Sequence, residues 1–90
     1  MGLNSMDKEL TKWALKWIEG SVLSYVQGRT TLSIVVGRVK RAIRSYGVTE
    51  EEVIALIDLI EQSPVYLPTM SRNEKAARLQ SLRDALKRAK

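Results

Sequence analysis

Residues 48–63 read VTEEEVIALIDLIEQS, and this stretch decides the fold class. Thr49 and Glu52 have the spacing of a capping box, and Val48 and Val53 stand at the two positions of a hydrophobic staple. Apolar residues then recur at helical spacing, at Val53, Leu56, Ile57 and Ile60. Pro64 disfavours helix at the residue before it. The stretch therefore predicts an amphipathic helix over residues 50–62 that buries one face.

A helix is also predicted before this stretch, over residues 6–27. Its apolar side carries Leu10, Trp13, Ala14, Trp17, Ile18, Ser21 and Tyr25, and charged residues occupy the other side. Asn4 or Ser5 can cap the start, and Gly28 supplies the left-handed residue that commonly ends a helix. Residues 1–5 are expected to be either disordered or foreign to the native chain.

Residues 32–46 predict a further helix, capped by Thr30 or Thr31 and ended by Gly47. The apolar residues of this segment share an arc of about 120° on a wheel of about 100° per residue. The β-branched stretch 30–36 offers a strand as the alternative. We favour helix, because the helical period persists to Tyr46 and no two-residue alternation does.

The last predicted helix covers residues 72–89, with a second capping box formed by Ser71 and Glu74. Its apolar residues form a narrow seam, at Leu79, Leu82, Leu86 and Ala89. Two prolines hold the connection 63–70 extended, and we expect it to fold back over the core. The sequence thus predicts an all-α bundle of four helices, with residues 6–90 as a single domain, because 90 residues seldom close two cores.

Composition excludes many kinds of chemistry. Cysteine and histidine are both absent, which removes disulfides, zinc sites with thiolate or imidazole ligands, and Ser-His or Cys-His nucleophile pairs. Asp58 and Glu61 lie one turn apart and could do acid–base work or hold Mg²⁺, but we interpret them as a solvated edge without a third ligand. We expect no enzyme activity, no cofactor and no metal.

The chain is also expected to be cytoplasmic and free of membranes. Its longest uncharged stretch, residues 62–71, is far shorter than the roughly 20 apolar residues of a bilayer span. The absence of Cys and the abundance of Arg, Lys and Glu are mildly typical of a thermophile.

Charge is sharply segregated along the chain. Residues 29–49 hold five basic and no acidic residues, 50–63 hold five acidic and no basic residues, and 71–90 hold seven basic and two acidic residues. Rows of Lys and Arg suit phosphate oxygens, and each neutralised phosphate steepens the salt dependence of binding. The predicted nucleic-acid contacts are Arg29, Arg38, Lys40, Arg41, Arg44, Arg72, Arg83, Lys87 and Lys90. The alternative is that these are solvated faces that complement the acidic third helix.

A helix-turn-helix built from the second and third helices is disfavoured, because Glu50, Glu51 and Glu52 would face phosphates. The remaining version uses the first two helices. It would bring Thr31, Ser33, Ile34, Gly37 and Arg38 near bases. Few of these side chains read bases strongly, so sequence-specific recognition is the less favoured alternative.

Three aromatic residues are candidates for a protein interface. Trp13 and Trp17 lie one turn apart, and tryptophan is enriched at interface hot spots. We favour core packing for both, since a chain without Phe needs their volume. Tyr66, between two prolines, is equally suited to docking a partner or covering the core.

A small, basic, all-helical chain without His or Cys resembles the accessory subunits of the family-B replicative DNA polymerases of crenarchaea. The resemblance rests on size, charge and helix pattern over the whole chain, and it assigns no residue roles. It implies a non-catalytic archaeal subunit that binds the polymerase while its basic faces retain template DNA. The alternatives are a free-standing DNA-binding regulator from an archaeal virus or plasmid, and a plain protein–protein adaptor.

Overall fold

The computed structural model describes the backbone of residues 2–89 and the side chains of residues 8–89. In this range it contains four helices joined by short connections and no strand. The helices are α1 (Gly2–Val26), α2 (Leu32–Ser45), α3 (Glu50–Gln62) and α4 (Arg72–Arg88). The all-α prediction is confirmed, and the strand alternative for residues 30–36 is wrong.

Helix α1 begins four residues earlier than predicted, so Asn4 and Ser5 lie inside the helix instead of capping it, and residues 2–5 continue it. The other predicted starts hold. Thr31 accepts a hydrogen bond from the Ile34 amide (3.3 Å). At α3 both halves of the capping box form, at 3.1 Å and 2.8 Å. At α4 the structure gives the Ser71 half of the box, in which its hydroxyl accepts from the Glu74 amide (3.1 Å).

The core is built on the buried stripe of α1, which is Ala14, Ile18, Val22 and Val26. This helix contacts each of the other three. The buried side chains contributed by α2, α3 and α4 are Val35, Val39, Ala42, Val53, Ile57, Ile60, Leu79 and Leu82. Branched aliphatic side chains therefore fill the space between the helices at close packing.

The connection 63–70 packs over this core, as predicted, but it is not extended. It consists of turns, in which the Tyr66 amide donates to the Ser63 carbonyl (3.3 Å) and the Met70 amide to the Leu67 carbonyl (3.1 Å). Tyr66, Leu67 and Met70 pack against buried residues, and Leu67 adopts a left-handed backbone (φ 55°), which is strained for a branched side chain. Lys75 fixes the connection from α4. Its side chain is buried (5% exposed), and its ammonium donates to the carbonyls of Ser63 (3.2 Å) and Tyr66 (3.1 Å).

Two glycines end helices in the left-handed region, Gly28 (φ 81°) and Gly47 (φ 74°). Their surroundings differ. A Cβ at Gly28 would meet no atom within 4 Å, whereas one at Gly47 would lie 3.0 Å from Thr11 Oγ1. That hydroxyl donates to the Tyr46 carbonyl (3.0 Å) and so ties α1 to the end of α2. Position 47 therefore requires glycine for two reasons, its left-handed φ and the lack of room for a Cβ beside Thr11.

We expect Gly28→Ala to lower the free energy of unfolding by about 1–2 kcal/mol, through backbone strain alone. Gly47→Ala should cost roughly 1 kcal/mol more, because the Thr11 hydrogen bond must also be displaced. Urea unfolding of both variants measures the difference. Adding Thr11→Ala should remove the excess cost of Gly47→Ala, and equal costs for the two glycine variants would refute the role given to Thr11.

Candidate nucleic-acid interface

The solvent side of α2 is a cationic face formed by Lys40, Arg41 and Arg44, all of them exposed. Ser33 and Gly37 lie on the same side, and Arg29 is exposed in the turn before the helix. Within the described residues both salt bridges are made by Arg83 of α4, and none of the salt bridges described there involves Lys40, Arg41 or Arg44. The cationic face therefore presents its charge to the surroundings.

The predicted basic stripe on α4 is not a free surface, and here the structure corrects the sequence analysis. Arg83 donates to Asp58 Oδ1 (2.6 Å) and to Glu61 Oε1 (2.7 Å), with only 17% of its side chain exposed. Burial lowers the pKa of Arg83, but the hydrogen bonds to Glu61 and Asp58 outweigh it and raise the pKa. The guanidinium is thus committed to joining α4 to α3.

The same contacts add to the interpretation of Asp58 and Glu61 as a solvated edge, since their side chains remain 49% and 31% exposed while both carboxylates accept from Arg83. Their spacing of three residues puts both carboxylates on the side of α3 that meets α4, where Arg83 bridges them. Arg72 and Lys87 are exposed at opposite ends of α4, and Lys90 lies outside the described residues. The stripe is therefore reduced to isolated cations.

Arg88 is a cation that the sequence analysis missed. It lies about 100° around α4 from Lys87 and faces α2, where it lines a shallow groove together with Lys40, Val36 and Gly37. Spacing within α4 favoured the stripe through Arg83 and Lys87, and nothing in that pattern shows which side of α4 meets α2. Arg88 therefore continues the cationic face of α2 onto α4.

Trp13 and Trp17 are not part of the buried core, so the favoured interpretation of core packing is wrong. Their rings stack on each other, with centroids 5.6 Å apart and planes 16° from parallel, and Trp13 is 53% exposed. Tyr46 meets both rings edge-on, at 5.7 Å and 6.1 Å. The two tryptophans, hereafter the indole pair, form an ordered aromatic surface beside α2.

Two arginines border the indole pair. Arg38 lies over the Trp17 ring (5.7 Å) and donates to Ser21 Oγ (2.9 Å), while Arg41 lies over the Tyr46 ring (6.0 Å). Ser21 is buried and donates in turn to the Trp17 carbonyl (2.9 Å). Arg38 is thus engaged between α1 and α2, which weakens its predicted role in reading bases. Of the other residues predicted near bases, Thr31 serves as the cap of α2, and Ser33, Ile34 and Gly37 are exposed.

On its other side α2 borders an apolar groove of about 530 Å³, shared with α3 and the end of α4. Ile43, Ile54 and Leu86 contribute its apolar surface, and Ile43 is 39% exposed. Lys40 and Arg44 stand along the α2 edge of the groove, and Glu50 lies on the α3 side. The cationic face therefore separates the indole pair from the apolar groove.

Tyr66 lies at a distance from both surfaces and is tied to α1. Its hydroxyl donates to Glu19 Oε2 (2.7 Å), and its ring packs against the core. Of the two alternatives weighed for Tyr66, this geometry agrees with the one in which it covers the core.

Comparison with protein families, with characterised proteins and with solved structures finds no match to this chain. None of the helices in residues 2–89 has the length and apolar character needed to cross a bilayer. The side chains described also include no cluster of three acidic residues that could hold a metal ion.

The Tyr66–Glu19 contact predicts a pH dependence. The hydrogen bond to Glu19, then burial and the carboxylate charge, raise the pKa of Tyr66 above its ordinary value of 10.0. Because the folded pKa exceeds the unfolded one, the stabilisation is complete below about pH 10 and is lost as pH rises through the folded pKa. The Tm advantage of the native chain over Tyr66→Phe should therefore shrink as the pH rises above about 10. An advantage that stays constant above this pH would refute the contact.

Stability measurements should also separate the indole pair from the core. Ile18→Ala should cost about 2–5 kcal/mol, because it opens a cavity in a fully buried site. Trp13→Ala removes a half-exposed ring and should cost only about 1 kcal/mol, mainly the lost aromatic contacts. Chemical denaturation of the two variants provides the test. If Trp13→Ala lowers the free energy of unfolding as much as Ile18→Ala does, Trp13 is part of the core after all.

Proposed function

We propose that this protein is a non-catalytic interaction subunit that binds nucleic-acid phosphates through the cationic face of α2. The observation that carries the proposal is that Lys40, Arg41 and Arg44 are exposed together without a described carboxylate partner. Arg83 of α4 pairs with Asp58 and Glu61 of α3, whereas the segment 29–49 holds five basic and no acidic residues.

Binding of this kind is independent of sequence. Phosphate contacts from Lys and Arg fix position on a strand but carry no base information. Arg38 is the cation best placed on the α1 side of α2, and it is engaged by Trp17 and Ser21. These contacts favour a retaining role over that of a helix-turn-helix regulator, which would need free side chains aimed at base edges.

A non-catalytic role is supported by the state of the acidic residues. Asp58 and Glu61 are the pair best spaced for acid–base chemistry, and both accept from the Arg83 guanidinium. The carboxylate oxygens that contact Arg83 are therefore engaged in joining α3 to α4.

A protein partner is the second part of the proposal. The apolar groove presents Ile43, Ile54 and Leu86 between charged edges, which suits the apolar side of a helix that carries acidic residues toward Lys40 and Arg44. The resemblance to polymerase accessory subunits suggests a replicative polymerase in this position, with the cationic face beside its template. A plain adaptor would use the groove without nucleic acid.

The test is a salt titration of DNA binding with a matched pair of arginine variants. Arg44→Gln should reduce the slope of log affinity on log salt by about one unit, and Lys40→Gln/Arg41→Gln/Arg44→Gln by about three. Arg72→Gln removes the same charge from the far end of α4 and should leave the slope nearly unchanged. Fluorescence anisotropy with a labelled duplex of mixed sequence measures all four proteins.

Three results would count against the proposal. Equal slopes for Arg44→Gln and Arg72→Gln would mean that binding depends on net charge alone. Tight binding confined to one duplex sequence would favour the regulator. Absence of binding even at low salt would leave the adaptor, with the cationic face directed at an acidic protein.

A further inference from the structure

We infer that the indole pair is a stacking platform for unpaired bases, so that the protein prefers single-stranded over double-stranded nucleic acid. The inference rests on the proposed function, which supplies the phosphate contacts, and it adds the class of nucleic acid. Its structural basis is the juxtaposition of Trp13, half exposed, with the arginines that border α2.

The platform is ordered before any ligand arrives. Trp17 covers one face of Trp13, Tyr46 supports both rings edge-on, and Thr11 ties the Tyr46 carbonyl to α1. Beside these contacts Trp13 remains 53% exposed, so its ring keeps surface that a base can reach. A base can therefore extend the stack without first ordering the side chains, which removes part of the cost of binding.

Cations lie where a strand on this stack would place its phosphates. Arg41 is exposed next to Tyr46, and Arg44 and Lys40 continue the charge around α2. On α1 the charged neighbours of Trp13 at helical spacing are Glu9 and Lys16, whose charges offset each other. The local field is therefore set by α2, and it is positive.

Single strands fit this arrangement better than a duplex or a protein helix. Every base has a flat face that can stack on an aromatic ring, but a duplex already has its bases stacked on each other. A protein hot spot built on tryptophan is usually enclosed by a wide apolar surround. Here Trp13 contacts Trp17 and Tyr46, and the exposed residues near it on α1 are Glu9, Lys12 and Lys16, with Leu10 as its exposed apolar neighbour.

The experiment compares binding of a labelled oligo-dT and of a duplex of equal length by fluorescence anisotropy at one salt concentration. Trp13→Ala should weaken oligo-dT binding by about fivefold to a hundredfold, because stacking on an aromatic ring supplies a free energy of that order. Duplex binding should change less than twofold. Trp13→Tyr should retain most of the affinity for oligo-dT, and oligo-dT should quench tryptophan fluorescence in the native chain.

Leu59→Ala is the matched control. Leu59 is 52% exposed, nearly the same as Trp13, but lies on the acidic helix α3, so its removal should alter neither affinity. Circular dichroism and thermal melting establish whether each variant is folded. Trp13→Tyr keeps the test valid if Trp13→Ala does not fold.

The outcomes separate this inference from the proposed function. If Trp13→Ala binds oligo-dT as tightly as the native chain, or loses oligo-dT and duplex equally, the stacking platform is refuted while phosphate binding stands. If the native chain binds neither nucleic acid at low salt, the proposed function fails and the platform fails with it. Weakened binding of oligo-dT alone supports both.

Discussion

The spacing of four residues between the buried side chains of α1 is the constraint on which the rest of the structure depends. Ala14, Ile18, Val22 and Val26 form one stripe against the other helices, and each residue along a helix is turned by about 100° from the one before. Each tryptophan precedes a member of the stripe by one position, so burial of Ala14 and Ile18 turns both indoles to the side, where they meet Tyr46 at the end of α2. The aromatic surface follows from the packing of the aliphatic core.

Just as packing of the aliphatic core places the tryptophans, ion pairing determines where some of the charged side chains lie. Arg83 is a cation of α4 that faces α3, where Asp58 and Glu61 accept its two hydrogen bonds. Removing a partner from such a partly buried group is costly, and this favours one arrangement of α3 against α4. Asp58 and Glu61 are thereby engaged with α4 and not with α2. None of the described salt bridges involves α2, whose cations Lys40, Arg41 and Arg44 are exposed together.

Signals between neighbouring residues predicted the helices well. Contacts between residues far apart in the chain determine which side chains form the candidate nucleic-acid interface. The capping box at Thr49 and the left-handed Gly47 depend on neighbours within a few residues, so the sequence contains the whole signal. The two partners of Arg83, Glu61 and Asp58, lie 22 and 25 residues away in the chain. The Tyr66 carbonyl that accepts from Lys75 lies in a connection with no repeating pattern. Helical periodicity identifies the apolar side of a helix, but it does not show which other helix packs beside each flank of that side. That is why the indole pair was assigned to the core and Arg88 was missed.

The arrangement of surfaces around α2 explains how one small domain can serve two ligands. Arg38 at the indole pair and Ile43 in the apolar groove are five residues apart, which places them about 140° apart around the helix. Lys40, Arg41 and Arg44 occupy the arc of α2 that faces solvent. A strand held on the indoles and these cations would leave the groove accessible to a protein. Stacking and phosphate contacts carry little sequence information, so the choice of binding position would come from the protein in the groove. Under the proposed function, a domain with these properties would retain a nucleic acid wherever its partner brings it.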